Sequence, residues 1–131
     1  MRRLALLLAV FSLLLTGCFA KKPPPPQPVD VSVFLQMTAT DQQKQSIEAA
    51  IRALPGVSDV RFETRDEAYT EFKKLFQDSP DLVNSVRPQD MPESFRFRLA
   101  DWASVDKAKE SISSLPGVDK VNSGLEPSPK V

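Results

Sequence analysis

A chain of 131 residues in which 17 basic side chains balance 17 acidic ones has no basic footprint for nucleic acid. It contains no histidine and one cysteine, Cys18, so the commonest general base and metal ligand are missing and no disulfide can form within the chain. Composition thus weighs against catalysis, a cofactor or a small-molecule substrate, and packing alone must hold the fold.

The chain opens with Arg2 and Arg3, continues through an apolar run over residues 4–15, and closes that run with Leu15-Thr16-Gly17-Cys18. A charged start, a short apolar stretch and small residues before a cut describe a secretory signal. The run is shorter than the roughly 20 residues a membrane-spanning helix takes. Its last four residues resemble the lipobox of bacterial lipoproteins. The resemblance implies removal of residues 1–17, a diacylglycerol on the Cys18 thiol and a further acyl chain, palmitate for example, on the new amino group. Each buried methylene contributes about 0.8 kcal/mol, so two or three chains anchor firmly where one binds only marginally. The expected place is the extracytoplasmic face of a cell membrane. Phe19 is not the aspartate that retains lipoproteins at the inner membrane, which leaves an outer membrane open in a cell that has two. Loss of Arg2 and Arg3 leaves the mature chain slightly acidic.

Residues 18–28 then form a proline-rich linker, with Pro23 to Pro26 consecutive and Pro28 following. Such a run favours polyproline II, and at about 3.1 Å per residue it spans roughly 30 Å as a semi-rigid stalk. The tail, residues 125–131, carries Pro127 and Pro129 and is expected to be disordered.

Residues 29–124 make one domain of ordinary size. Val29, Val31, Val33 and Leu35 alternate as a strand. Thr40 with Gln43 reads as a capping box, and Ile47, Ala50, Ile51 and Leu54 line one helical face behind it. The segment Ile51-Arg52-Ala53-Leu54-Pro55-Gly56-Val57-Ser58-Asp59-Val60 recurs as Ile112-Ser113-Ser114-Leu115-Pro116-Gly117-Val118-Asp119-Lys120-Val121. Each copy is a helix stop at Pro-Gly followed by a strand of alternating valines. Phe95, Phe97 and Leu99 alternate with Arg96 and Arg98 as a third strand, and Val105, Ala108, Ile112 and Leu115 share a helical face. Trp102 and Phe34 read as core or rim packing. Two βαβ halves result, an α+β fold with helices over one face of a four-stranded, ferredoxin-like sheet.

Between the halves lies an insertion, residues 64–92, too long and too patterned for a plain loop. Thr64 with Glu67 is a second capping box, opening a helix whose apolar arc is Ala68, Tyr69, Phe72, Leu75 and Phe76. Ser79-Pro80 opens a shorter one, with serine as N-cap, carrying Leu82, Val83 and Val86.

The order of elements, the Pro-Gly-Val junctions, Glu71-Phe72-Lys73-Lys74-Leu75-Phe76 with Pro80-Asp81-Leu82-Val83 after it, and Met91-Pro92-Glu93-Ser94-Phe95 together resemble the extracellular domain of FtsX. FtsX is the permease-like partner of an ABC-type ATPase in bacterial cell division. The resemblance implies a non-catalytic domain that binds a peptidoglycan hydrolase or its adaptor through an apolar lobe formed by the insertion. The matching lobe residues here are Tyr69, Phe72, Phe76, Leu82, Val83 and Met91. The sequence departs from the family in having no four transmembrane helices and no cytoplasmic arm, which puts active coupling to an ATPase in doubt while leaving binding intact. A second reading stays open: an envelope assembly component that self-associates through its sheet edge.

Overall fold

The computed structural model describes residues 25–124, so the expectations for residues 1–17, for Cys18 and for the 125–131 tail lie outside the described residues. Four strands, β1 (Val29–Leu35), β2 (Val57–Glu63), β3 (Ser94–Leu99) and β4 (Val118–Ser123), form one antiparallel sheet in the order β2-β3-β1-β4. Helix α1 (Asp41–Arg52) connects β1 to β2, and helix α4 (Val105–Ser113) connects β3 to β4. Both cover the same face, which is the ferredoxin-like arrangement read from the pattern. Among the described residues no helix is long and apolar enough to cross a membrane.

The core follows from strand alternation. Val29, Val31, Val33 and Leu35 of β1, Phe95, Phe97 and Leu99 of β3 and Val118 of β4 are buried against Ile47 and Ile51 of α1 and Val105, Ala108 and Ile112 of α4. Trp102 and Leu115 pack at its margin. Thr40 closes a capping box on α1: the Gln43 N–H donates to its hydroxyl at 3.2 Å, and its own N–H donates to Gln43 Oε1 at 2.9 Å.

The two repeat copies share one backbone solution. The C-caps Ala53 and Ser114 have the same dihedrals, φ −82° and ψ −8°. The Leu54 and Leu115 N–H groups each donate 3.1 Å to the isoleucine three residues earlier, and Val57 and Val118 donate back to those leucines at 3.4 and 3.2 Å. Gly56 and Gly117 occupy left-handed conformations, φ +70° and +92°. One expectation is corrected here. The paired valines do not alternate, because they stand three residues apart, and each strand absorbs the odd residue in a bulge. In β2 the register slips between Ser58 and Arg61, and in the β1–β4 ladder between Phe34 and Leu35. A bulge is what lets residues at that spacing share a face. In β2 it also holds Asp59 at φ +54°, a conformation aspartate tolerates better than most residues.

Both ends of the domain leave from one end of the sheet: the Gly124 N–H donates to the Asp30 carbonyl at 3.0 Å, next to Val29. Residues 64–92 leave from the other end, where Glu63 pairs with Ser94 and Ser94 with Phe34.

Gly56→Val is expected to destabilise the domain by about 1 to 3 kcal/mol, since the left-handed backbone is strained for a β-branched residue and a Cβ there stands 3.0 Å from the Ala100 Cβ. The midpoint of a denaturant titration measures the loss, and an unchanged midpoint refutes the role given to the Pro-Gly turn.

Candidate functional site

The segment between β2 and β3 folds as helix α2 (Arg65–Leu75), helix α3 (Pro80–Ser85) and a 3₁₀ turn (Pro88–Asp90). Thr64 caps α2 as its sequence announces. The Glu67 N–H donates to the Thr64 hydroxyl at 3.3 Å, and the Thr64 N–H and hydroxyl donate to Glu67 Oε2 at 2.8 and 2.9 Å. The serine before Pro80 differs from expectation: Ser79 occupies the N-cap of α3 but its side chain makes no capping bond. Its backbone instead accepts the N–H groups of Leu82 and Val83, which closes the short turn without the hydroxyl.

Two devices root this lobe. Arg65 reaches out of α2 to donate to the Met37 carbonyl at 3.0 Å and the Gln89 carbonyl at 3.4 Å, tying the lobe to the β1–α1 loop and to its own last turn. Glu63, only 2 % exposed, accepts from the Ser94 hydroxyl at 2.9 Å and from Arg96 Nε and Nη2 at 2.8 and 2.6 Å. Arg96 also donates to the Ser32 hydroxyl at 3.3 Å, so one carboxylate and one guanidinium join β1, β2 and β3 on the face the helices leave bare.

The apolar arc of α2 behaves as two parts. Ala68 is buried, Tyr69, Phe72 and Phe76 are half-buried, and their rings form a chain, Tyr69–Phe72 at 6.5 Å and Phe72–Phe76 at 4.8 Å between centroids. The Lys73 ammonium lies 4.8 Å over the Tyr69 ring. Leu75, read as part of the apolar arc, is 76 % exposed. It lies on the stripe of Ala68 and Phe72 and forms part of the wall of the groove they share. On α3, Leu82 is 42 % exposed and Val83 half-buried. Met91 is half-buried and shares with Phe72, Leu75, Ala68, Pro92 and Phe34 a groove of about 320 Å³ between α2 and the bare face of the sheet. Glu63, Glu71 and Arg96 supply its polar rim.

Of the six residues singled out from sequence, this groove therefore gathers Phe72 and Met91. Tyr69 and Phe76 flank it on α2, and Leu82 and Val83 stand apart on α3. Phe34, read as core or rim packing, is instead a groove wall on the bare face. Its signal was present in the alternation of β1, where it falls in phase with the polar Asp30 and Ser32. Met37, 47 % exposed beside the Arg65 anchor, carried no periodic signal at all. Among the described residues no group of acids is placed to hold a metal ion.

A model of the FtsX extracellular domain matches residues 28–128. The chain belongs to the FtsX extracellular domain family. Membership makes it a cell-division-related extracellular domain. Among solved structures it is similar to extracellular domain 1 of FtsX from S. pneumoniae, crystallised in complex with undecyl-maltoside. The likeness has a TM-score of 0.59 at 14 % identity and covers 72 % of this chain and 92 % of that one. At that identity it speaks for the fold alone. No curated protein matches the chain.

In this FtsX-type domain, the Thr64 N–H and then the Thr64 hydroxyl hold the Glu67 carboxyl below the usual carboxylate value. A lowered folded value means the capping bonds are complete above the ordinary glutamate pKa, about 4.3, and are lost as pH falls through the folded value. The Thr64 amide-proton shift is therefore expected to titrate with a midpoint below that of an unstructured glutamate, and to show no such step in Glu67→Gln. A midpoint at the ordinary value excludes the capping role.

Proposed function

We propose that this protein is a lipoprotein anchored through Cys18 at the extracytoplasmic face of a cell membrane, and that its FtsX-type domain binds a peptidoglycan hydrolase or its adaptor, without catalysis of its own, during cell-wall remodelling or division. The observation that carries the binding part is the exposed apolar lobe. Leu75 and Leu82 are open to solvent, and Tyr69, Phe72, Phe76, Val83 and Met91 are only half covered. Phe72, Leu75 and Met91 share one groove, and exposed apolar surface concentrated in this way on a small domain is the ordinary mark of an interaction surface.

The anchoring part rests on the residues before the domain and agrees with its geometry. A tether entering at Val29 leaves the lobe at the far end of β1, pointing away from the bilayer. Edge-to-edge self-association is the weaker reading. The β2 edge carries a bulge with Asp59 and Arg61, and the β4 edge carries Asp119 and Lys120, devices by which natural sheets discourage strand addition.

Two experiments test the reading separately. Cys18→Ser removes the thiol that would accept diacylglycerol, so radiolabelled palmitate should no longer enter the chain and the precursor should stay uncut. Processing and membrane retention at wild-type levels would refute the anchor. For the lobe, Leu75→Asp should leave the melting temperature unchanged while weakening capture of the cell's peptidoglycan hydrolase or adaptor by about 2 kcal/mol or more, as at an interface hot spot. Phe72→Ala should lower both, with a folding cost of about 2 kcal/mol, less than the 3–5 of a fully buried phenylalanine. Undiminished capture by both variants would sink the lobe assignment.

A further inference from the structure

At the end of the sheet away from the lobe, where the chain enters at Val29 and passes Gly124, the helix layer is open. A cleft of about 310 Å³ lies between the end of α1 and the start of α4. Leu54 and Pro55 line one side and Ala103 and Ala108 the other, with Leu99 of β3 beneath them and Lys107 at the rim. Leu54 is only half-buried there, and Ala103 is exposed.

The β1–β4 ladder aims the residues after Gly124 toward this cleft. Its register pairs Val33 with Val121 and Val31 with Ser123, and the Gly124 N–H still donates to the Asp30 carbonyl at 3.0 Å. Continued by one residue, that register would set Leu125 opposite Val29. Successive side chains alternate between the faces of a strand, so Leu125 would share the helix-covered face with Val121 and Ser123. Val29 is in turn the register partner of Leu99 on its other flank. The row Leu125, Val29, Leu99 thus crosses β4, β1 and β3 and ends beneath the cleft.

The sequence that follows suits the space. Leu125, Pro127, Pro129 and Val131 alternate with Glu126, Ser128 and Lys130. Adjacent strands lie about 4.8 Å apart, so Leu99 stands roughly 10 Å across from the end of β4. Seven extended residues reach about 23 Å. Two prolines hold such a segment near an extended form in advance, which lowers the cost of ordering it. The match to the FtsX extracellular domain also runs beyond the last strand, to residue 128. The linker is the other segment at this end, but its residues 25–28 are exposed where they enter β1.

We propose that residues 125–131 act as a latch: Leu125 packs beside Val29, and the segment after it crosses the strand ends to lie in the cleft between α1 and α4. A terminus tied down in this way escapes the disorder of a free one. The latch fastens both helices to the strand by which the chain enters the domain, and it is independent of what the lobe binds.

The test places pairs of cysteines in the full chain carrying Cys18→Ser, held in detergent. Pro129→Cys is combined either with Lys107→Cys at the cleft rim or with Ser58→Cys, which is exposed on the opposite face at the same end of the sheet. A disulfide needs its two Cα atoms within about 7 Å. Under mild oxidation the cleft pair should close within one chain about tenfold faster than the Ser58 pair, because a seated tail has a higher effective concentration at the cleft. Leu125→Asp should remove that advantage and lower the melting temperature by about 5 °C, as should a chain stopped after Gly124 in the melting measurement. Equal closure rates for the two pairs overturn the proposal, as does an unchanged melting temperature in the shortened chain. If Leu125→Asp lowers the melting temperature while the two pairs close equally, Leu125 only lengthens the β1–β4 ladder and the cleft has no part. Disulfides formed between chains rather than within one would give the cleft to a second copy and equally refute the latch.

Discussion

One buried carboxylate fixes how the rest of the molecule is arranged. Glu63 is the last residue of β2 and Ser94 the first of β3, so the chain's 30-residue excursion between them begins and ends on that single hydrogen-bonded pair. Taking a carboxylate out of water costs several kcal/mol unless its lone pairs are met. Here three donors meet one oxygen, two of them from a guanidinium, and those charge-assisted bonds are the stronger kind. Arg96 passes the constraint on to Ser32 in the central strand. The lobe is therefore rooted firmly while little of its own surface is covered, and the same guanidinium that roots it stands on the polar rim of the apolar groove.

Why the lobe stays uncovered follows from how the apolar surface is shared out. Helices α1 and α4 cover the apolar face of the sheet apart from Phe62 on its β2 edge, 37 % exposed, and the opposite face is polar except for Phe34. An insertion this short cannot close a core of its own. Its aromatics shield one another along α2 and lean on Phe34 through the groove, and the rest remains wet. Ala68, in the turn next to the sheet, is buried, whereas Leu75, seven residues on and on the same stripe, is not. Phe76, one residue beyond, is half-buried because its ring lies 4.8 Å from that of Phe72.

That difference also explains what could be read from the sequence. Capping boxes at Thr40 and Thr64 are local chemistry, complete within four residues, and both formed as written. The duplicated Pro-Gly junction is local too, and the fold class followed from it together with strand alternation. Misreadings arose where a residue's partner is distant. A valine spacing of three looks like alternation in sequence because a bulge is defined only against the opposing strand. For Leu75, periodicity reports which side of the helix is apolar and not whether anything lies against it. Ser79 was expected to cap because Ser-Pro is a common opening, yet the turn closed through its backbone. Phe34 was legible in principle, since its phase in β1 contradicts its chemistry, and such a contradiction marks a site more often than it marks packing.

The placement of the strands bears on how a tether and a partner would act together. With an anchor at Cys18 and a partner seated on the lobe, tension enters at Val29 and leaves near Glu63 and Ser94, at opposite ends of the sheet. Strand β1 is central, laddered to β3 on one side and β4 on the other, and runs along that line. Force parallel to a central strand loads both ladders in shear, so many hydrogen bonds must fail together, whereas force across an edge opens them one at a time. Under the proposed anchoring, the ladder on either side of β1 would resist such a pull in shear. The half-covered lobe, joined to the sheet through Arg65 and Glu63, is the part of the domain that leaves most apolar surface open.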